Sequence, residues 1–366
     1  MKTSLLFLLL IHPAICSPVS AESKWHPGHY IYVENLALTP ELLSLPHFRG
    51  VQKNYNWRTL EPQEGRFDFS TLRADLALAK KHGRQLVVQL TYKSFARGVR
   101  NVPDYLEGTK FGGGVYATIM GSYNPVLWND AVRARFKALI AALGREFDAH
   151  PNLEAVNLPE SSPSIKEDAK PQSGVTPYTE ENYFAALKDT MWALRHAFPR
   201  TVVIQYTNFP SKLLGQLTDY EKEIGVGLGG PDVYPREDAI SHPTRGIYRL
   251  YPKLAGIVPL GAAVQITNYC VALKKRNALA MGYTTINGKP IVITSEDEAL
   301  IPVREHLKLA QGQLKLNYLF WANSHPEAFA NVQQLLAEPD LVNDPAGGLA
   351  ATLPPKAFLR SADHHQ

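Results

Sequence analysis

The chain has 366 residues, with 38 Lys and Arg against 34 Asp and Glu and a formal net charge of +4. Both signs are spread along it without a dense Lys/Arg block, which gives no case for nucleic acid as a partner. Beyond the first residues no apolar run reaches the roughly 20 positions a membrane-crossing helix needs.

Residues 1–21 read as an export signal. Lys2 supplies the positive start, Leu5 to Ile11 an apolar stretch too short to span a bilayer, and Val19-Ser20-Ala21 the small residues a signal peptidase reads. Cleavage is expected after Ala21, which would release the protein to the periplasm or the medium. A lipoprotein signal ending at Cys16 is the rival, but Pro13-Ala14-Ile15 fits it poorly. Cleavage would leave Cys270 as the one remaining cysteine, so no internal disulfide is expected. The remaining length, about 345 residues, suits one barrel domain with long loops. We expect it over 22–340, as a monomer, with 341–366 as a mobile or surface-bound tail.

Short β-rich runs alternate with amphipathic helical stretches, the pattern of a parallel sheet with crossover helices. Strands are predicted at His29–Leu36, Gly50–Asn54, Gln85–Thr91, Leu153–Leu158, Thr201–Thr207, Gly225–Gly229, Gly261–Thr267 and Leu316–Trp321. Between them, Ser70 is expected to cap a helix ending at Gly83. Val132, Phe136, Leu139, Ile140, Leu143 and Phe147 recur at helical spacing and predict one buried stripe. A helix opening at Thr179 turns Phe184, Leu187, Met191, Leu194 and Phe198 inward, and Arg304 to Leu314 forms another. Without a Gly-rich phosphate loop near the start, a doubly wound sheet is disfavoured, and the fold class expected is a (β/α)₈ TIM barrel.

Three connections are long: the one carrying Phe111-Gly-Gly-Gly114, the Ser- and Pro-rich Ser161 to Tyr178, and Tyr283 to Thr294, where Asn287-Gly288 suits a hairpin turn. All three follow strands, so they should wall a cleft at the C-terminal face, where such barrels carry their sites.

The segment Asn56-Trp57-Arg58-Thr59-Leu60-Glu61-Pro62-Gln63-Glu64-Gly65-Arg66-Phe67-Asp68-Phe69-Ser70, followed by a helix and Gly83-Arg-Gln-Leu-Val-Val, is more specific. It resembles the second barrel segment of the large clan of glycoside hydrolases that holds cellulases, β-mannanases and β-galactosidases. The likeness covers about forty residues, and the rest of the chain shares only the clan's layout. It implies cleavage of glycosidic bonds in a polysaccharide or oligosaccharide by two carboxylates, one a proton donor and the other a nucleophile or base. Glu61 is structural in this pattern.

The resemblance puts the acid/base residue at the end of strand four, where Glu160 stands, although Leu158-Pro159 separates it from Asn157. The clan's nucleophile lies at the end of strand seven, and here that strand ends in Gln265-Ile-Thr-Asn268 without an acid. Glu296, in Lys289-Pro-Ile-Val-Ile-Thr-Ser-Glu296, imitates the nucleophile segment but follows the hairpin, where Ser295 has the look of a helix cap. Asp232 follows strand six after Gly229-Gly230, and its bland reading is a turn residue. Trp57, Tyr92 and Trp321 are candidates for sugar-stacking platforms. Asn54, Asn208, Gln265 and Asn268 are candidates for hydroxyl recognition, and Glu34 for the cleft wall. No cofactor or metal motif is present; the His364-His365 pair lacks a third ligand. The missing acid on strand seven also keeps open a barrel that binds an exopolysaccharide during export without cutting it.

Overall fold

The computed structural model describes residues 24–165, 176–236, 246–286 and 288–354. The expected export signal, Cys16, Asn287 and the terminal histidines lie outside these.

Eight parallel strands close into a barrel. They are β1 (Gly28–Val33), β2 (Gly50–Asn56), β3 (Gln85–Thr91), β4 (Leu153–Leu158), β5 (Val202–Tyr206), β6 (Gly227–Gly230), β7 (Leu260–Val264) and β8 (Tyr318–Ala322). Each pairs with its neighbour in sequence, and β8 returns to β1, with Gly28 opposite Tyr318 and Tyr30 opposite Gly50. Every predicted strand is therefore present, and those over Gln85–Thr91 and Leu153–Leu158 keep their predicted ends.

Alternation along each strand sorts two cores. Tyr30, Val87, Ala155, Ile204, Ala263, Tyr318 and Phe320 fill the barrel. Ile31, Val51, Val88, Leu90, Val156, Leu319 and Trp321 face outward into the helical layer. The inner filling is aromatic, and glycine makes room for it. A Cβ on Gly229 would stand 2.5 Å from the ring of Tyr206. The Gly229-Gly230 pair thus admits protein side chains, with Tyr251 Oη beside Gly230.

The helices follow the predicted stripes. Asp130–Phe147 buries Val132, Phe136, Leu139, Ile140, Leu143 and Phe147, and Asn129 Oδ1 caps it by accepting from the amides of Ala131 and Val132. Thr179 caps Glu180–Ala197, accepting from Asn182 N at 3.1 Å. Ser70 differs from expectation: it is the first helical residue of Ser70–Lys81, and Asp68 Oδ1 accepts its amide. Asp supplies the capping oxygen two positions earlier.

The base of the barrel is sealed by both ends of the described chain. Lys24 Nζ donates to Asp148 O, His150 O and Thr201 Oγ1, and Trp25 Nε1 to Ala351 O. Ala346 and Leu349 are buried, and Asn317 Nδ2 donates to Ala350 O. The part of the predicted tail up to Ala351 is thus held against the barrel.

At the other end, the connection after β3 makes an antiparallel hairpin, Val115–Ala117 with Tyr123–Pro125. It leans on the loop after β4, where Tyr116 Oη donates to Pro163 O at 2.6 Å. The pair Thr285–Ile286 and Lys289–Pro290 forms the expected hairpin, exposed and separate from the barrel sheet. No helix among the described residues is long and apolar enough to cross a membrane.

Candidate active site

β4 runs straight into Pro159-Glu160-Ser161-Ser162, and each backbone carbonyl of this loop is taken by a buried side chain. Gln205 Nε2 donates to Pro159 O at 2.6 Å, Lys93 Nζ to Glu160 O at 2.8 Å and to Ser162 O at 3.0 Å, and Tyr183 Oη to Ser161 O. Ser161 is fixed from the other side as well. Its amide donates to Tyr206 O, and its Oγ accepts the amides of Asn208 and Phe209. A loop pinned this densely holds its one outward acid in a fixed place.

The Glu160 carboxylate receives a single hydrogen bond among the described residues, from Asn208 Nδ2 to Oε2 at 2.7 Å. Its pKa is pushed up to about 7. Burial is the main cause, since it disfavours the charged form, and the negative charge of Asp232 adds to it. The Asn208 bond and the charges of Lys93 and Lys274 pull the other way and lose. At neutral pH a large share of Glu160 therefore keeps its proton.

Asp232 follows β6. Its backbone carbonyl accepts from Tyr248 Oη at 3.0 Å, and Oδ1 accepts from Asn268 Nδ2 at 2.6 Å and from Lys274 Nζ at 3.1 Å. Asn268 is fully buried and locked in turn. It closes a capping box with Gln265, and its carbonyl faces His306 Nε2 at 3.0 Å. The loops after β4 and β6 thus bring to one mouth a carboxyl that holds its proton and a carboxylate next to an ammonium.

No family model matches the sequence, and no curated protein matches it. The matches are structural. A β-amylase catalytic domain from Paenibacillus polymyxa superposes with a TM-score of 0.52 at 9% identity, covering 86% of this chain and 98% of that one. Xylanase 10C from Cellvibrio japonicus gives a TM-score of 0.48 at 12% identity, over 86% of this chain and 65% of that chain. Endo-glycoceramidase II from a Rhodococcus species gives 0.48 at 11%, over 83% and 76%. The structural neighbours are (β/α)₈-barrel glycoside hydrolases. At 9% identity the likeness to the β-amylase domain shows a shared fold alone, and the chemistry has to be argued from this chain's own side chains.

The structure brings Glu160, Asp232, Asn208, Asn268 and Gln265 to one mouth. Asn208 and Asn268 serve there by holding the two acids. Asn54 is exposed and donates to Tyr32 Oη at 2.6 Å, and Glu34 is exposed just beyond β1. Glu296 stands apart. It opens a short exposed turn, Glu296–Glu298, beyond the hairpin, and the acid whose charge acts on Glu160 is Asp232.

The three predicted platform aromatics point elsewhere. Trp57, Tyr92 and Trp321 are each 1% exposed or less. Trp57 packs on Phe136 with centroids 4.9 Å apart and donates Nε1–H to Glu61, Tyr92 meets the same Phe136 edge-on, and Trp321 donates Nε1–H to His29 Nδ1. The reason is parity. Tyr55 and Trp57, Leu90 and Tyr92, and Leu319 and Trp321 share the outward side of their strands. Glu61 has the structural role the resemblance implies, accepting from Trp57 Nε1, Gly65 N and Arg135.

Of the barrel-facing parity on β2 and β3, the sequence reading singles out Asn54 but neither Gln52 nor Gln89. Gln52 Nε2 donates to Gln89 Oε1 at 3.2 Å and to Tyr206 Oη at 2.9 Å, forming an uncharged polar layer inside the barrel. Asn157, also buried, lies beside the Tyr206 hydroxyl in the same layer. Polar residues at alternate positions of otherwise apolar strands were the available signal. Leu38, Val99, Ile119 and Ile266, on loops following β1, β3 and β7, are among the large apolar side chains exposed on the described connections.

Proposed function

We propose that this chain is a secreted glycoside hydrolase acting on a polysaccharide or oligosaccharide, with Glu160 as proton donor and Asp232 as the second carboxylate. One observation carries the reading: two acids at the ends of β4 and β6 with opposite environments, one retaining its proton near neutrality and the other beside a lysine ammonium. Glycosidic cleavage needs that division of labour, because one group must protonate the departing oxygen while the other supports positive charge at the sugar carbon. Glu160 Oε1, which accepts no hydrogen bond among the described residues, is the atom to carry the proton. Asp232, held through Oδ1 by Asn268 and Lys274, would attack the carbon or activate a water.

The test is release of new reducing ends from a panel of glycans, comparing the wild type with Glu160→Gln. The expected result is cleavage of at least one glycan and its near loss in the variant. Cleavage that persists in a folded Glu160→Gln protein would remove Glu160 as the acid. A second reading has one observation in its favour: β7 ends at Val264 and leads into Gln265 and Asn268 with no acid. It is a barrel that binds an exopolysaccharide during export without cutting it. Glycan binding without new reducing ends would support it. Export itself is tested by the N-terminal sequence of the mature protein, expected to begin at Glu22.

A further inference from the structure

Lys93, the second residue past β3, is 5% exposed, yet it lies beneath the mouth rather than at its lip. Its Nζ donates to Glu160 O at 2.8 Å, Ser162 O at 3.0 Å and Tyr183 Oη at 2.7 Å. The two carbonyls can only accept. The Tyr183 hydroxyl spends its own proton on Ser161 O, so its oxygen accepts from the lysine. Three acceptors around one nitrogen call for three N–H donors, which is the ammonium form. The rings of Tyr92 and Tyr183 flank the ammonium, with centroids 5.5 Å and 5.3 Å away, adding a favourable cation–π contribution.

A buried cation is costly unless it is paired and hydrogen-bonded. Tying down a loop backbone needs no charge, since amide and hydroxyl side chains do it next door, at Pro159 O and Ser161 O. The acid whose charge acts on Lys93 is Glu160, and Asp232 and Lys274 are the other charges acting on Glu160. We propose that Lys93 is a positioning residue for the Glu160 carboxyl. Its ammonium fixes the 160–162 backbone and places a positive charge behind that group, countering the repulsion from Asp232. The proposal rests on the reading of Glu160 as the proton donor.

Burial and the charge of Asp232 push Glu160 up; the Asn208 hydrogen bond and, after it, the cation of Lys93 oppose the rise, leaving the carboxyl at about 7, matched to neutral pH. Burial also lowers Lys93 itself to about 7, with Glu160 opposing the fall. The clamp is therefore complete on the acid side of neutrality and loses a donor above it.

The test is a substrate-free titration. In full-length protein labelled at the glutamate δ-carbons, the Glu160 carboxyl signal is assigned by its loss in Glu160→Gln. Its midpoint is expected near neutral in the wild type and about 1 unit or more higher in Lys93→Met. Lys93→Arg, which keeps the charge, should bring the midpoint back toward the wild-type value. A merely structural lysine would not produce that pattern. Should Lys93→Met fail to fold, Lys93→Gln drops the charge while keeping two amide donors and carries the same expectation. A folded charge-deleted variant with an unmoved midpoint overturns the proposal. Because no substrate is needed, that failure is distinct from a failure of the hydrolase reading, which full activity of Glu160→Gln would show.

Discussion

Two glutamates six positions apart, Glu154 at the foot of β4 and Glu160 just past its head, show how one strand serves two ends of a barrel. Glu154 is fully buried and saturated: Oε1 accepts from His26 N at 2.6 Å and Tyr318 Oη at 2.7 Å, and Oε2 lies 2.7 Å from His26 Nδ1. Glu160 receives one bond on its carboxylate and feels another acid. The base spends its carboxylate on closure, and the mouth leaves its own under-satisfied. A satisfied buried charge stabilises a structure, whereas an unsatisfied one near neutrality is available to move a proton.

That contrast can be broken experimentally. Glu160→Gln should cut glycan hydrolysis by about 100- to 10,000-fold, measured as initial rate of reducing-end release, with the denaturation midpoint held or raised, since the raised pKa makes the charged carboxyl a cost to folding at neutral pH. Glu154→Ala should do the reverse, lowering stability by about 3–5 kcal/mol in urea unfolding while the rate per folded molecule stays close to wild type. Equal effects of the two substitutions on stability would end the distinction. Trp321→Ala should also act on stability alone, by roughly 3–5 kcal/mol, because its ring is core and not platform. Asn208→Ala sharpens the comparison at smaller amplitude, with a loss of about tenfold in rate.

The pH profile gives a signed version of the same test. As the proposed donor Glu160 has to be protonated, and its pKa is raised to about 7, so activity should fall as pH rises through neutrality. The Asn208 hydrogen bond lowers that value. Its removal in Asn208→Ala should therefore carry the alkaline limb to higher pH. A limb that moved down would reverse the assignment.

The barrel was legible in the sequence because each strand is a short apolar run between helices whose stripes recur at helical spacing, as at Val132 to Phe147. Glu160 was legible by strand count. The platform aromatics were misread because a strand's last residues look alike from either side. Trp57, Tyr92 and Trp321 each sit one position off the parity that faces the barrel axis, and a single-residue register change turns a side chain to the opposite face. Lys93 was missed for a different reason: its partners lie 67 and 69 residues along the chain for the two carbonyls and 90 for Tyr183.

The sequence by itself determined the repeating strand and helix units and the presence of an acid after β4 and after β6, since these depend on local propensity and spacing. Only the tertiary structure decided which acid stands with Glu160, which aromatics are core, and what holds the acid loop. Those outcomes depend on charges and hydrogen-bond donors from distant strands meeting in a confined, poorly solvated space, where burial and neighbouring charge set a proton's affinity.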